Sequence, residues 1–477
     1  MGSLFGTLNN TLDAIDAYQA ALNVSQNNVS NASTPGYARQ VANLEALPFD
    51  TSSGLTGGVQ AGPTQSTQDE YVNQAVNSQF SQQGSFTAQS TALASIQGLF
   101  DVSGQTGVVG QLNNLFQSFS AWSEDPSTTA NQQGVITAAQ DLAQSFQSTA
   151  ASLSQTTTQL DQQIGSAVQQ INQIGSQIQS ENAAILQNPD PAAGVNAGVD
   201  AQLHASIQSL SQLANVTVTY APDGTATVLL GGQTPLVIGA QVNAIQTNFS
   251  NTTGATYPGG IPNAQILDAN GNDITAQFSQ GTLGGLLNVR NNVLPGLQGS
   301  TQQVGALNQL AQQVADRVNS ILTAATTPSG AAGSPLFAYD TTSPTDVAST
   351  LALDPNITAG ALAPADSTTS NGAALALANL GQSTAPADEI NGQTILQFLS
   401  STATQVGQQA SDAQTGQNLA AQSLAQAQAI QTQISGVSLD AEAVNVMELQ
   451  KGYQAAGKMV SVIDSLAQTL LDMMAPA

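Results

Sequence analysis

Apolar residues at both ends of the chain recur at alternating intervals of three and four. With Thr11 and Ser25 filling gaps, the N-terminal stripe comprises Leu4, Leu8, Ile15, Tyr18, Leu22 and Val29. The C-terminal stripe has no gap and comprises Val446, Leu449, Tyr453, Ala456, Val460, Ile463, Ala467, Leu470 and Met474. This heptad spacing predicts coiled-coil-like helices. One stripe alone is equally typical of an amphipathic helix on a core. Two at opposite ends predict that the termini pack together or against other subunits.

Four stretches between the ends also carry apolar residues at helical spacing. They span residues 71–100, 136–185, 297–325 and 395–435. Their polar faces are rich in Gln, Ser and Thr rather than Glu and Lys, so few intrahelical ion pairs can form. Such helices depend on packing against neighbours, which predicts a helical bundle.

Two regions have the alternating pattern of β-strands. Residues 216–230 alternate on both sides of Pro222-Asp223-Gly224, which predicts a hairpin. Residues 236–238 predict a further strand. A second set of strands is predicted after Pro335, with residues 349–353 as its clearest member.

The order of these elements predicts an α+β fold. We expect a long helical-bundle stalk formed by the N- and C-terminal halves, coiled-coil-like terminal helices, and inserted β-rich domains. The three predicted parts are terminal heptad helices, a helical stalk domain and a β-rich outer domain. The terminal heptad helices comprise residues 1–60 and 436–477. The helical stalk domain comprises residues 61–210, 290–326 and 395–435. The β-rich outer domain comprises residues 211–289 and 327–394.

Charge is scarce in this chain of 477 residues. Charged residues make up 7% of it, against roughly 25% in ordinary domains, and the formal net charge is −25. The five bases are Arg39, Arg290, Arg317, Lys451 and Lys458. Binding of nucleic acid or an anionic membrane surface needs clustered bases, so both functions are excluded. The absence of cysteine excludes disulfides and thiolate metal sites. The first residues lack the pattern of a cleaved signal peptide.

Candidate catalytic chemistry is sparse. His204 is the sole histidine, without a cysteine or second histidine as partner, and a structural role is preferred. No phosphate-binding loop of the GxxxxGK[ST] kind occurs. We therefore predict no catalytic, cofactor or metal site, and no enzyme activity.

A short acidic segment resembles part of a calcium loop. Asp268, Asn270 and Asn272 match its first three ligand positions. The sixth position is Asp273 where the loop needs Gly, and the twelfth is Ser279 where it needs Glu. A polar turn is the preferred interpretation, and calcium binding is the alternative.

The segment 31–40, Asn-Ala-Ser-Thr-Pro-Gly-Tyr-Ala-Arg-Gln, stops the first helix. Pro35 moves Thr34 out of the helical region, and Gly36 is predicted to turn the chain with a positive φ. This ten-residue motif, which follows a heptad seam, resembles the N-terminal signature of flagellar rod, hook and hook-associated proteins. The segment 435–442, with the heptads after it, resembles the C-terminal helix of the same proteins.

The middle of the chain separates the subfamilies. Residues 281–295, from Gly-Thr-Leu-Gly-Gly-Leu-Leu-Asn-Val-Arg to Val-Leu-Pro, resemble hook-associated protein 1, whereas hook and rod proteins differ there. The hairpin at 216–230 also fits that subfamily. The sequence departs from it at Asn291 and Asn292, where the family often has acids.

The resemblance implies a structural subunit at the junction between hook and filament. It implies export without a cleavable signal through the flagellar type III apparatus, with an export chaperone at the C-terminal helix. Partners would be further copies in a ring of tube, the hook protein and a second hook-associated junction protein. The subunit would be secreted into the extracellular flagellum, with its terminal helices lining the channel and its β-rich domains facing outward.

The assembly residues implied are of two kinds. The assembly motif comprises Asn31, Thr34, Pro35, Gly36 and Tyr37, and the assembly seam comprises Leu8, Ile15, Leu22, Val460, Ile463 and Leu470. We expect the seam side chains to be buried mainly on assembly, since one subunit offers them little to pack against.

Two alternatives remain. A hook or distal-rod protein would share both terminal segments but not residues 281–295. A secreted adhesin or enzyme with helical ends would need converging polar side chains in residues 327–394. The acids available there are Asp340, Asp346, Asp354, Asp366, Asp388 and Glu389.

Overall fold

The structure, a computed structural model, describes residues 2–50, 55–100, 107–187 and 197–474. The chain forms two compact units. Unit 1 comprises Met1–Ser81, Ile171–Ala244 and Ala421–Ala477, and unit 2 comprises Gln82–Gln170 and Ile245–Ala420. Both ends of the chain therefore belong to unit 1.

Helices dominate the described residues. They are α1 (Gly2–Asn31), α2 (Glu70–Gln97), α3 (Gly107–Glu124), α4 (Thr129–Gln187), α5 (Ala197–Leu213), α6 (Gly281–Asn288), α7 (Leu294–Gln298), α8 (Ala306–Ala324), α9 (Val347–Thr350), α10 (Gly372–Asn379), α11 (Ile395–Ser435) and α12 (Leu439–Met474). The strands are β1 (Gln40–Val41), β2 (Leu44–Asp50), β3 (Leu55–Ala61), β4 (Gln65–Ser66), β5 (Val216–Tyr220), β6 (Ala226–Leu230), β7 (Thr234–Ile238), β8 (Gln241–Val242), β9 (Gln246–Asn248), β10 (Gln265–Leu267), β11 (Phe337–Ala338) and β12 (Ala352–Leu353). Long helices with small antiparallel sheets confirm the predicted α+β class. The predicted three-part division stays a prediction.

Unit 1 contains a four-stranded antiparallel sheet in the order β5-β6-β7-β8. Val216 pairs with Leu230 and Tyr220 pairs with Ala226, which confirms the predicted hairpin. Strand β7 confirms the further strand predicted at residues 236–238. Alternate residues of β6 are buried, as expected for a strand with one face on a core.

A buried asparagine of α4 anchors this sheet. The side-chain amide of Asn182 donates to the carbonyls of Ala226 and Gly239, both at 2.8 Å. Its carbonyl oxygen accepts from the Ala226 N–H, also at 2.8 Å. At Gly175, two turns earlier, Leu236 and Val242 come within 3.3 Å of where a Cβ would lie. This end of α4 therefore packs directly on the sheet.

Large apolar side chains from α3, α4 and α8 form the core of unit 2. Among those completely buried are Trp122, Phe119, Phe146, Leu142, Leu153, Val314 and Val318. Backbone also packs closely, because a Cβ on Gly285 would lie 2.3 Å from the carbonyl oxygen of Ser85. This contact requires glycine at position 285.

Two predicted elements need correction, and one hairpin was not predicted. The helix predicted at 297–325 is interrupted between α7 and α8, where Gly299 adopts φ +94° and the chain turns before restarting at Ala306. The strand predicted at 349–353 is mostly wrong, because Ser349 and Thr350 end the short helix α9 and only β12 follows. The β2–β3 hairpin was not predicted, since Pro48 and paired glycines obscure its alternation.

None of the described helices is long and apolar enough to cross a membrane.

A π-helical turn, Val289–Val293, places a buried arginine inside unit 2. Arg290 is 1% exposed, and its Nε lies 2.7 Å from Oδ1 of Asp161 on α4. Its Nη2 also donates to the Pro262 carbonyl at 3.0 Å. Arg290, the second residue of this turn, thereby joins the turn to α4 and to the segment before α6.

We expect Arg290→Leu to destabilise unit 2 by about 3 kcal/mol, because it leaves the Asp161 carboxylate without its partner. The double variant R290L/D161L removes both charges and should lose less. Urea unfolding followed by the fluorescence of Trp122, the sole tryptophan, reports on unit 2 directly. A single variant as stable as the wild type would show that the ion pair contributes nothing.

Candidate functional site

The turn after α1 has the conformation predicted for it. The Thr34 N–H donates to the Asn31 carbonyl at 2.9 Å, and the Tyr37 N–H donates to the Thr34 carbonyl at 3.2 Å. Gly36 adopts φ +76°, which confirms the predicted positive φ. Asn31 ends α1, and Pro35 lies exposed at the apex of the turn.

Gly36 packs against α5. A Cβ on Gly36 would lie 2.3 Å from the carbonyl oxygen of Ala201 and 3.0 Å from the nitrogen of Ala205. Glycine is thus required here for space as well as for backbone conformation. The Gly36 side of the turn therefore packs closely within unit 1, while Pro35 stays exposed.

Asn28 holds the two sides of the turn together, a role for which the sequence contains no local signal. Its side chain is 1% exposed. Its amide donates to the Gln40 carbonyl at 2.8 Å, and its oxygen accepts from the Gln40 N–H at 2.8 Å and from the Tyr37 hydroxyl at 2.9 Å. Burial raises the pKa of Tyr37, and the negative charge of Glu442 adds to the rise.

The turn is also joined to the C-terminal segment. The Arg39 N–H donates to the Ser435 carbonyl at 2.8 Å, and the Thr67 N–H donates to the Arg39 carbonyl at 2.9 Å. Ser435 Oγ donates to the Thr67 carbonyl at 3.1 Å. Finally, Arg39 Nε lies 2.7 Å from Oε1 of Glu442 in the first turn of α12. We call Asn28, Arg39, Thr67, Ser435 and Glu442 the terminal clasp.

Beyond the clasp, α1 and α12 pack against each other in antiparallel fashion. Asn445 donates to Ser25 at 2.7 Å, and Gly452 lies against the ring of Tyr18. Sequence numbers thus rise along one helix as they fall along the other. The packing of the two ends within one unit agrees with the prediction that the termini pack together.

The seam on α1 differs in detail from the predicted stripe. Its buried residues are Thr11, Ala17, Ala21, Ser25 and Asn28. Leu8, Ile15 and Leu22 are half-buried beside them, and Val29 is 43% exposed. Tyr18 and Ser25, which contact Gly452 and Asn445 of α12, both lie on the predicted seam. Asn28 is instead buried against the turn that follows α1.

The predicted residues of α12 have three different environments. Ile463 is 7% exposed, Val460 is half-buried, and Leu470 is 45% exposed. The expectation that these side chains are buried mainly on assembly is therefore wrong for Ile463, which packs within the single chain. The side chain of Met474 lies outside the described residues.

A second apolar stripe runs along α12 beside the positions that pack within the single chain. Its residues, with their exposed fractions, are Met459 (53%), Val462 (59%), Leu466 (51%), Leu470 (45%) and Met473 (77%). They follow steps of three and four along the helix, which places them on one face. We call these five residues the outer stripe.

Other candidate residues have structural roles. The buried His204 contacts the Tyr220 hydroxyl through Nδ1 at 3.2 Å and the Asp200 carboxylate through Nε2 at 3.5 Å. Asp268 accepts from the N–H groups of Asn270 and Asn272, both at 2.8 Å, as in a polar turn. Its hydrogen bonds with Asn272 hold the pKa of Asp268 below its ordinary value. Among the described residues no cluster of three or more metal-ligating side chains occurs.

The acids of residues 327–394 do not converge on a site. Asp340, Asp354 and Asp366 each accept hydrogen bonds from the backbone two residues later, as turn-capping carboxylates do. Asp388 lies 2.6 Å from Arg317. These interactions stabilise local structure in unit 2.

Comparison with known proteins places the chain among flagellar axial components. A family model for the C-terminal part of flagellar basal body rod FlgEFG proteins matches residues 431–473. The model of the flagellar hook-associated protein FlgK helical domain matches residues 93–337, about half of the sequence. The chain belongs to the family of flagellar hook-associated protein FlgK. This membership favours the predicted hook-associated class over the hook or distal-rod alternative.

Individual relatives agree with the family match. The chain is 24% identical to flagellar hook-associated protein 1 of Bacillus subtilis, with 99% of both chains covered. It is 26% identical to the Escherichia coli protein of that name, over 69% of this chain and 59% of the other. The solved structure of the flagellar hook junction protein FlgK from Burkholderia pseudomallei covers 56% of this chain and 47% of its own, with 24% identity and a TM-score of 0.49.

We expect Gly36→Ala to destabilise unit 1 by more than the roughly 1 kcal/mol that positive φ alone costs, because the added Cβ meets the backbone of α5. Gly239→Ala is the matched control. Gly239 also has positive φ in unit 1 but has open space around its Cβ position. Thermal unfolding followed by circular dichroism compares the two. Equal losses would mean that the contact with α5 is unimportant.

Proposed function

We propose that this chain is a structural subunit at the junction between the hook and the filament of a bacterial flagellum, and that it acts by assembly rather than catalysis. The supporting observation is the outer stripe of α12. Helix α1 contacts α12 at Gly452 and Asn445, whereas the five residues of the outer stripe lie nearer the C-terminal end of α12 and stay exposed, so they are available to other subunits.

The size of the stripe supports an assembly role. Full burial of one large apolar side chain contributes roughly 1.5–3 kcal/mol, and the outer stripe exposes five of them along one helix face. Monomeric proteins rarely expose apolar residues in such a continuous row. Ile430 and Ile434, near the end of α11 in the same unit, are also about half exposed.

The partners we propose are neighbouring copies in a ring of tube, the hook protein and a second hook-associated junction protein. The relatives carry the words hook-associated in their names, which agrees with this assignment. Before assembly the apolar side chains of the outer stripe must be shielded from water, and we propose that a flagellar export chaperone binds α12 for this purpose. The assembled protein would be extracellular. The assembly motif at residues 31–37 would fix α1 for this purpose.

The double change Leu466→Asp and Leu470→Asp tests the role of the outer stripe. Both side chains are half exposed in the single chain, so thermal unfolding should change little, whereas a carboxylate buried between subunits is strongly disfavoured. Cells carrying the variant should release unpolymerised filament protein and lose motility. Ile463→Asp should instead lower the melting temperature of the purified protein.

The control variant is S461D/Q468D, which adds the same charge on the polar face of α12. It should assemble normally. Secretion of each variant from a strain without hooks separates a failure of export from a failure of assembly. Normal filaments on hooks built with L466D/L470D would contradict the proposed interface.

A further inference from the structure

The terminal clasp contains an ion pair between residues 403 positions apart in the sequence, Arg39 and Glu442. The carboxylate is almost completely buried at 1% exposure, while the Arg39 side chain is 38% exposed. A buried carboxylate needs a counter-charge, and loss of one partner leaves the other uncompensated. The contact therefore constrains both segments more than an exposed ion pair would.

The scarcity of bases makes this pairing specific. Each of the three arginines of the chain forms an ion pair with a carboxylate distant in sequence: Arg39 with Glu442, Arg290 with Asp161 and Arg317 with Asp388. The remaining bases are Lys451 and Lys458, which lie more than two turns further along α12. Glu442 thus has one cation within reach at the start of its helix.

The surroundings of Glu442 keep it ionised. Burial alone raises the pKa of this carboxyl, but hydrogen bonding with Arg39, Ser25 and Asn445 and the charge of Arg39 together hold it below its ordinary value. The carboxylate is therefore charged at neutral pH, and the ion pair is present in the folded chain.

We propose that the Arg39–Glu442 pair is a positioning contact that sets the direction in which α12 leaves α11. Helix α11 ends at Ser435 and α12 begins at Leu439, so only three residues join the two helices. The backbone bond from Arg39 to Ser435 holds the end of α11, and the ion pair holds the first turn of α12. Arg39 thereby holds both α11, which ends before the bend, and α12, which begins after it.

The length of α12 amplifies any change at this point. From Glu442 to Met474 the helix extends for roughly 48 Å at about 1.5 Å per residue. A rotation of roughly 10° at the first turn moves the far end by roughly 8 Å, more than a helical turn. The outer stripe lies in this distant half. The Arg39–Glu442 ion pair therefore determines how the outer stripe is presented to other subunits. This step rests on the proposed function.

The experiment uses the full-length chain, which has no cysteine to interfere. Tyr18→Cys and Gly452→Cys place two thiols where α1 and α12 touch, about ten residues from the ion pair. A short thiol-reactive cross-linker should join them rapidly in this background. Adding Arg39→Gln or Glu442→Gln should reduce the initial rate of cross-linking several-fold.

Two controls separate positioning from general effects. Asp440→Asn removes an exposed acid from the same first turn and should leave the rate unchanged, so an effect of helix-end charge alone is excluded. The double variant R39Q/E442Q should cross-link no more slowly than the slower single variant, because the two residues act through one contact. Circular dichroism verifies that each variant is folded.

Unchanged cross-linking in E442Q, or additive losses in the double variant, would overturn the proposal. Assembly in cells is measured separately. If R39Q slows cross-linking of the purified chain yet builds normal filaments, the positioning contact stands and the proposed role of α12 in the junction fails.

Discussion

The rest of unit 1 depends on the pairing of the two ends of the chain. Helices α1 and α12 meet where Gly452 lies against the ring of Tyr18 and where Asn445 donates to Ser25, so close approach and a side-chain hydrogen bond both contribute to their contact. Towards its C-terminal end, α12 keeps the five apolar residues of the outer stripe in solvent. The turn at Gly36, the clasp and the outer stripe are all consequences of how these two helices are held.

Neutral amides take over much of the structural work that charges do in other proteins. Asn28 joins both sides of a turn, Asn182 anchors a sheet, and Asn308 binds the Gln298 and Thr345 carbonyls at 2.7 and 2.8 Å. Each amide both donates and accepts, so it satisfies several buried backbone groups at once. Such contacts carry no net charge and are little affected by salt. The low charge content therefore does not imply a loosely held fold.

The sequence predicted the elements whose signals are local. Heptad spacing located α1 and α12, turn chemistry located the β5–β6 hairpin, and Pro35-Gly36 located the end of α1 with its positive φ. The contacts of α1 with α12 at Tyr18 and Ser25 follow the predicted seam, but apolar periodicity gives no signal for the buried small residues Ala17 and Ala21. The Arg39–Glu442 pair and the role of Asn28 depend on partners brought close by the fold. A single sequence contains no signal for such long-range pairs.

The distance along the chain between Arg39 and Glu442 also has a consequence for time. A ribosome releases the first helix long before the last, and α1 has no helical partner across its seam until α12 emerges. Contacts between remote segments form slowly, because the intervening chain must first be brought together. The packing of α1, the first helix to be synthesised, is therefore the last to be completed. The topology therefore leaves an interval during synthesis in which the two terminal helices are not yet paired.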